Sequence, residues 1–266
     1  MCKMEYSEIQ FNLIGSIFPE ANVLAKASQL SYGYGENNYV IELCKNGISC
    51  LWNVHDKWED GRIVIYVLSD LKSMPSRAII SIKGSENPTS FFSSTLTRKD
   101  WIRNIIGKIY PNPWNKAFAS CVKGVTELVK RNKRYNFAYF VTGHSAGGTL
   151  AQDISRKFNI PGASFCALGV KNRSLFETDN EEIYLYHSAH SRFYNHIIRG
   201  EIAWIESFCD SNNYFGNIII HEPRGSGEKN ESNPIKLHLI DHFIQHHFNP
   251  REGGKPCTND LCIWKH

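Results

Sequence analysis

The chain has 266 residues, and its 42% hydrophobic and 21% charged content is that of an ordinary globular protein rather than a disordered one. Its 30 Lys and Arg residues nearly balance 26 Asp and Glu residues, so the net charge is only +4. We expect no nucleic-acid partner, because a phosphate-binding surface needs a concentrated positive face. No stretch approaches the roughly 18 consecutive apolar residues of a transmembrane helix.

The apolar run at residues 11–18 follows two glutamates rather than a basic segment, so we expect no secretory signal and a cytoplasmic location. The eight cysteines are spread along the chain without the spacing of a disulfide framework. Cys121 and Cys166 lie in apolar segments, where a free thiol packs like a small hydrophobic side chain. These observations predict reduced cysteines in a reducing compartment.

The first quarter of the chain predicts one helix and then an antiparallel meander. Apolar residues at helical spacing follow Pro19 and stop at Gly33. Strand-like runs at 39–43, 48–53 and 63–68 are separated by turn sequences that tolerate positive φ, Asn46-Gly47 and Asp60-Gly61.

In the middle of the chain, short runs that are apolar on both faces alternate with amphipathic helices. The runs 78–82, 137–141 and 163–168 predict strands. Apolar residues at helical spacing predict helices that follow residues 97–100, 112–113 and 143–148. Strands that are apolar on both faces lie at the centre of a sheet with helices on either side. This alternation predicts an α/β fold with a mostly parallel central sheet, preceded by the antiparallel meander.

The pattern weakens after residue 170. Runs at 183–186, 192–197 and 217–220 predict strands, residues 225–233 predict a polar loop, and Asn233-Pro234 opens a last helix along Leu237, Ile240 and Ile244. Neither a repeat nor a linker is visible. We therefore predict a single domain over residues 1–266, with lid or cap elaborations around 86–99 and 171–191.

Residues 143–147, Gly-His-Ser-Ala-Gly, match the nucleophile elbow between an apolar strand and a helix. Gly143 and Gly147 stand two places before and two after Ser145, where bulky side chains would collide with the sheet and the helix. The Ser145 hydroxyl would then stand at the positive end of a helix, which favours an attacking oxygen and a developing oxyanion. The alternative is a glycine-rich turn whose serine only caps the helix.

A serine nucleophile needs a histidine base, and in this motif the chain order is Ser, then Asp or Glu, then His. We predict His238, which we place at the start of the last helix, where the helix N-terminus would keep its imidazole neutral. The rival histidines lie nearby in the sequence: His221, His242, His246 and His247.

A metal site is the competing interpretation of these histidines, because positions 238, 242 and 246 fall at successive helical turns. No glutamate stands between them in the metalloprotease pattern, and Cys257 and Cys262 are poorly spaced for zinc. We predict no metal and no other cofactor.

The triad acid has six candidates in the second half of the chain: Asp179, Glu181, Glu182, Glu201, Asp210 and Asp241. Glu201 is best placed, because it follows a strand-like run through Gly200, a turn that can deliver a carboxylate to the C-terminal edge of the sheet. The alternative for Glu201 is a solvated surface glutamate.

An oxyanion hole needs two donors, one after the nucleophile and one from an earlier strand-to-helix loop. The backbone of Ala146 supplies the first, and Ser85, after Lys83-Gly84 at the end of an apolar strand, is the candidate for the second. The alternative at Gly84-Ser85 is an ordinary loop start.

At these residues the chain resembles the class 3 lipases of the α/β-hydrolase superfamily, over residues 20 to about 205. The resemblance lies in the early helix with Ala27, Leu30 and Tyr32, in Lys83-Gly84-Ser85 with Asp100-Trp101 downstream, in the elbow 141–148, and in Phe193-Tyr194-Asn195 ahead of an acid. It implies an α/β-hydrolase fold with Ser145 as nucleophile, Ser85 and Ala146 as oxyanion donors, Glu201 as acid and His238 as base.

The sequence departs from this family's pattern in three places. Lysine and serine stand at positions 83 and 85, where arginine and threonine are usual. The candidate acid is a glutamate instead of an aspartate, and no Gly-Ser-Pro segment occurs around Gly169.

Together these patterns predict a cofactor-independent serine hydrolase that cleaves carboxylic esters, above all those of lipids, with transient contact with a membrane surface. Phe91 and Phe92, after the oxyanion loop, would suit contact with lipid, although a closed lid would look the same. Two alternatives stay open. One is a catalytically inactive hydrolase fold that serves as a binding module, and the other is an acyltransferase, thioesterase or peptidase with the same nucleophile.

Overall fold

The computed structural model describes residues 18–33, 39–43, 49–61, 63–84, 114–169, 192–201, 214–223, 233–244 and 262–264. Within these residues, nine strands form one sheet, and their order in space follows their order in the sequence. The strands are β1 (Tyr39–Leu43), β2 (Ser49–Asp60), β3 (Ile63–Asp70), β4 (Arg77–Ile82), β5 (Ala138–His144), β6 (Gly162–Phe165), β7 (Phe193–Ile198), β8 (Asn217–His221) and β9 (Cys262–Trp264).

The sheet is mixed, and its two regions match the sequence prediction. Strands β1 to β4 form an antiparallel meander, β4 to β8 are parallel, and β9 pairs antiparallel with β8. The predicted turn at Asp60-Gly61 is present, and Gly61 has a φ of +59°. Strand β2 runs on to Asp60 instead of ending near Asn53, because a register shift between Val54 and Asp56 interrupts its alternation without ending its pairing.

Helices cover both faces of the parallel region, as the doubly apolar strands predicted. The helices are α1 (Ala21–Leu30), α2 (Trp114–Arg131), α3 (Ala146–Phe158), α4 (Pro234–His238) and α5 (Ile240–His242), with a 3₁₀ turn at Lys133–Tyr135. Helix α1 buries one face against a core that contains Ile79, whereas α2 and α3 pack on a second core that contains Ile80. Consecutive isoleucines of β4 therefore point into opposite cores, which explains why the middle of the strand is apolar on both faces.

The parallel strands carry their carboxyl ends to one edge of the sheet. Gly84 follows β4, Ser145 follows β5, and Glu201 follows β7 within three residues of its end. In open α/β sheets, ligands bind outside the carboxyl ends of the strands. The candidate site therefore lies at this edge.

Two predicted elements differ from the structure. The predicted last helix is broken, because Leu239 adopts extended backbone angles (φ −69°, ψ 136°) between α4 and α5. The strand predicted at 163–168 ends at Phe165, since Cys166 has a φ of +46°, which does not continue a strand.

Several predictions fall outside the described residues: the Asn46-Gly47 turn, the helix after residues 97–100, the strand at 183–186, the loop at 225–232, and the lid or cap elaborations at 86–99 and 171–191. Among the residues that the structure does describe, no helix is both long and apolar enough to cross a bilayer. Cys121 and Cys166 are buried as predicted, and burial raises the pKa of both thiols.

Candidate active site

Ser145 lies at a sharp turn between β5 and α3. Its backbone has φ +56° and ψ −126°, a conformation that non-glycine residues rarely adopt and that stores strain. The Ser145 amide donates to the carbonyl of Phe165 at 3.0 Å, which fixes the turn against the end of β6. This strand, strained serine and helix form the local geometry of a nucleophile elbow.

The two elbow glycines have a steric reason. A Cβ at Gly143 would overlap the backbone of Gly147, and a Cβ at Gly147 would overlap the carbonyl oxygen of Ile82 in β4. Only glycine at both positions lets α3 begin this close to the neighbouring strand.

The side chains of Glu201, His238 and Ser145 form one hydrogen-bonded chain. Nδ1 of His238 lies 2.7 Å from a carboxylate oxygen of Glu201, and Nε2 lies 3.0 Å from Oγ of Ser145. Because a carboxylate only accepts, Nδ1–H is the donor on that side, and Nε2 is placed to accept the proton of the serine hydroxyl. All three residues are buried, with exposures of 0%, 2% and 9% in the order given.

Glu201 reaches this chain through a turn at the end of β7. Gly200 has a φ of +82°, and the Glu201 amide donates to the carbonyl of Ile198 at 3.1 Å. The turn follows β7 directly, so it places Glu201 at the carboxyl edge of the sheet, where its carboxylate contacts His238. A solvated surface position, the alternative for Glu201, is wrong because the residue is fully buried.

The position of His238 differs from the prediction in one respect. His238 is the last residue of α4 rather than the start of a long helix, so its imidazole does not stand at the N-terminus of its own helix. Its orientation comes from its hydrogen bonds to Glu201 and Ser145 instead. The break at Leu239 also interrupts the helical spacing between positions 238 and 242. The metal-site interpretation of these histidines required that spacing.

The described rival residues have partners elsewhere. Nε2 of His221 lies 3.0 Å from Nδ1 of His196, and Asp241 accepts a hydrogen bond from the side chain of Gln29 at 2.6 Å. The side chain of His242 and the remaining candidates lie outside the described residues: Asp179, Glu181, Glu182, Asp210, His246 and His247.

One of the two candidate oxyanion donors is described. Ala146 is the first residue of α3, and the first amides of a helix have no partner within it. Ser85 lies outside the described residues, which end at Gly84 in this loop. A Cβ built at Gly147 would come within 2.8 Å of the Gly84 amide nitrogen, so the start of the loop lies against the first turn of α3.

One cluster offers ligand atoms that could surround a metal ion. Atoms of His144, Cys166 and His238 all lie within 4.8 Å of one another. Both ring nitrogens of His238 are already hydrogen-bonded, and burial, followed by the nearby Glu201 carboxylate, raises the pKa of the Cys166 thiol and keeps it protonated. An ion here would have to break one of the two hydrogen bonds of the His238 ring, so we assign none to the cluster.

A nucleophile elbow on a central parallel strand, with a histidine and an acid arriving from later loops, defines the α/β-hydrolase fold. This fold class follows from the chain's own strand order and elbow. It agrees with the fold expected from the sequence.

The chain is similar to solved structures of fungal lipases. A triacylglycerol lipase from Penicillium expansum is 12% identical, with 84% of this chain and 89% of that chain covered and a TM-score of 0.44. A lipase from Rhizopus microsporus var. chinensis is 14% identical, with 89% and 87% covered and a TM-score of 0.46. Lipase II from Rhizopus niveus is 12% identical, with 80% and 81% covered and a TM-score of 0.42. No family model matches the chain, and no curated protein matches it.

Proposed function

We propose that the protein is a serine hydrolase that cleaves carboxylic esters. The observation that carries the proposal is the buried chain of hydrogen bonds from Glu201 through His238 to the strained Ser145. A serine hydroxyl is a weak nucleophile alone, and a histidine within hydrogen-bond reach, itself oriented by a carboxylate, is the arrangement that activates it.

In the first half of the proposed reaction, Nε2 of His238 takes the proton of Ser145 while Oγ attacks the ester carbonyl carbon. The negative charge moves to the carbonyl oxygen, where the Ala146 amide and Ser85 would donate hydrogen bonds. Collapse of this tetrahedral intermediate breaks the ester bond, and the departing alkoxide takes the proton from His238. The acyl group is then bound to Ser145.

In the second half, a water molecule replaces the alcohol. His238 takes a proton from the water, whose oxygen attacks the acyl-enzyme carbonyl, and the proton then returns to Oγ of Ser145 as the carboxylic acid leaves. Glu201 keeps its charge throughout and stabilises the imidazolium that forms twice in each cycle. The reaction needs neither a metal nor an organic cofactor.

We further propose lipid esters as the substrate class, which the class 3 lipase resemblance over residues 20 to about 205 supports. Transient contact with a membrane surface would follow from such substrates. The cytoplasmic location and the single-domain organisation over residues 1–266 stay predictions from the sequence.

A fluorophosphonate probe tests the proposal, because it labels only an activated serine. We expect one adduct on the wild-type protein and none on Ser145→Ala, which should also lose turnover of a p-nitrophenyl ester while remaining folded. Ser120→Ala is the matched control, since Ser120 lies in α2 and hydrogen-bonds Asp60. An unlabelled wild type would refute the proposal and favour an inactive binding module. A separate experiment, product analysis in the presence of a competing alcohol, distinguishes hydrolysis from acyl transfer.

A further inference from the structure

A second histidine, His144, precedes Ser145 in the chain, packs beside His238 and has no part in the mechanism above. Its Nε2 is 2.6 Å from the backbone carbonyl oxygen of His238, and its Nδ1 is 2.8 Å from the hydroxyl of Tyr32. His144 is only 3% exposed. The two contacts join the turn after α1, the elbow and the end of α4, which carries the proposed base.

The direction of both hydrogen bonds follows from the chemistry of the partners. A carbonyl oxygen only accepts, so Nε2 of His144 carries the hydrogen and donates to His238. Burial, and then the neighbouring His238, lower the pKa of His144 to about 3, so the ring is neutral. In a neutral imidazole the other nitrogen is an acceptor, and Tyr32 therefore donates its hydroxyl hydrogen to Nδ1.

The backbone of His238 stands at the end of a short helical segment. His238 ends the five-residue helix α4, and the chain leaves helical geometry at the next residue, Leu239. Helices this short are not stable by themselves. The carbonyl that accepts the hydrogen bond of His144 stands at this break.

Tyr32 also contacts the start of the oxyanion loop. A Cβ at Gly84 would overlap the Tyr32 hydroxyl, so this hydroxyl lies against the backbone just before Ser85. The same hydroxyl is 3.4 Å from the carbonyl oxygen of His144. Tyr32 thus lies between the elbow and the loop from which the second oxyanion donor would come.

We propose that His144 and Tyr32 are positioning residues that hold the backbone of His238 so that its imidazole lines up with Ser145. The inference rests on the proposed ester hydrolysis and deepens it. Neither residue touches the reacting atoms in this scheme. A displacement of about 1 Å at a catalytic group can reduce a rate by about a hundredfold.

The experiment compares four variants of the full chain in their rate of labelling by a fluorophosphonate probe. His144→Leu removes the donor to the His238 carbonyl, whereas His144→Gln keeps a donor amide near the position of Nε2. Tyr32→Phe removes only the hydroxyl. Ser28→Ala is the control, because Ser28 is buried in α1 and joins α1 to β5 through Thr142 at 2.9 Å without contacting His238.

We expect His144→Leu to be labelled roughly ten- to a hundredfold more slowly than wild type and to lose kcat with little change in KM. His144→Gln should recover to within about threefold of wild type, and Tyr32→Phe should lie between the two. Ser28→Ala should be less stable but should be labelled at the wild-type rate. Labelling of His144→Leu at the wild-type rate, or of His144→Gln as slowly as His144→Leu, would overturn the inference.

A spectroscopic readout separates positioning from simple loss of stability. The Nδ1 proton of His238, donated to Glu201, should give a downfield proton resonance, and we expect it to shift or broaden in His144→Leu and Tyr32→Phe but not in Ser28→Ala. If His144→Leu does not fold, Tyr32→Phe decides, and an unchanged resonance with unchanged labelling overturns the inference. An unlabelled wild type refutes the proposed function itself, whereas a labelled wild type with fully active variants refutes only the positioning roles.

Discussion

The carboxylate of Glu201 accepts a hydrogen bond from Nδ1 of His238 at 2.7 Å, and both side chains are buried, with exposures of 0% and 3%. This pair determines which imidazole nitrogen faces Ser145 without a proton. A glutamate has one methylene more than the usual aspartate, and here the turn through Gly200 places its carboxylate within reach.

Glu201→Gln should reduce kcat about a thousandfold or more with a folded protein, because an amide can donate to Nδ1 and so stabilise the wrong tautomer of His238. Steady-state hydrolysis of a p-nitrophenyl ester measures the change. Glu201→Asp is the companion variant, and we expect a smaller loss because the charge is kept while the reach shortens. Equal rates for Glu201→Gln and wild type would remove Glu201 from the proposed triad.

Gly147→Ala should destabilise the fold by about 3 kcal/mol, because its Cβ would overlap the carbonyl oxygen of Ile82 and force α3 away from β4. Urea denaturation measures the loss. Gly61→Ala is the matched control, since Gly61 has a φ of +59° but no atom within 4 Å of an added Cβ. We expect the control to lose about 1 kcal/mol of stability, from backbone strain alone. Equal losses of stability in the two variants would contradict the steric reason given for Gly147.

The free energy of unfolding should fall as the pH drops below about 6.5. Burial lowers the pKa of His196 well below its usual value and that of His144 to about 3, so the folded state binds fewer protons than the unfolded state in this range. The contribution of each histidine to the free energy of unfolding is fully present above pH 6.5. It is lost as the pH falls, because the unfolded state then binds a proton that the folded state does not, and the loss is up to about 1.4 kcal/mol per pH unit for each histidine. Urea denaturation between pH 5 and 7.5 measures the slope.

The variant His196→Gln tests this assignment, because it removes one of the two described histidines whose pKa burial lowers. The slope of stability against pH should be smaller in this variant than in the wild type. A slope that does not change would show that His196 does not contribute to the acid sensitivity.

Arg77→Met should cost about 3 kcal/mol of stability, because it leaves the carboxylate of Asp70 buried without its cation. The two side chains are 8% and 1% exposed, and their atoms are 2.8 Å apart. Arg77 begins β4 at the sheet edge opposite Ser145, so kcat should stay unchanged. Thermal unfolding measures the loss. Arg199→Met is the control, because it breaks an exposed ion pair with Glu222 and should change the free energy of unfolding by less than about 0.5 kcal/mol. A comparable loss in both variants would contradict the role of burial.

The parts of the fold that the sequence predicted are those with strong local signals. Continuous apolar runs predicted the parallel strands, because a strand covered on both faces must be apolar on both faces. Helical spacing after Pro19 predicted α1, whose observed bounds are Ala21–Leu30. The break at Leu239 carried no such signal, because the apolar residues on either side of it keep a helical spacing that predicts one continuous helix.

The relation between His144, Tyr32 and His238 was invisible in the sequence. In the sequence, His144 stands out only as a member of the elbow motif, and Tyr32 only through the resemblance to class 3 lipases. Tyr32 and His144 are 112 positions apart in the chain, and His144 and His238 are 94 apart. No local sequence pattern reports a hydrogen bond over such a separation.

The sequence by itself determined the elbow, because a serine between two glycines at the end of an apolar strand is a local pattern with a local steric cause. For the acid and the base, the sequence left a few candidate residues each. No local pattern reports which carboxylate or imidazole reaches a serine that lies far away in the sequence. Only the tertiary structure decided that Glu201 and His238 meet Ser145, because that choice depends on which loops the sheet brings to the same edge. The same packing turned the His238 carbonyl toward His144, a contact that exists only once the helices and loops have folded onto the sheet.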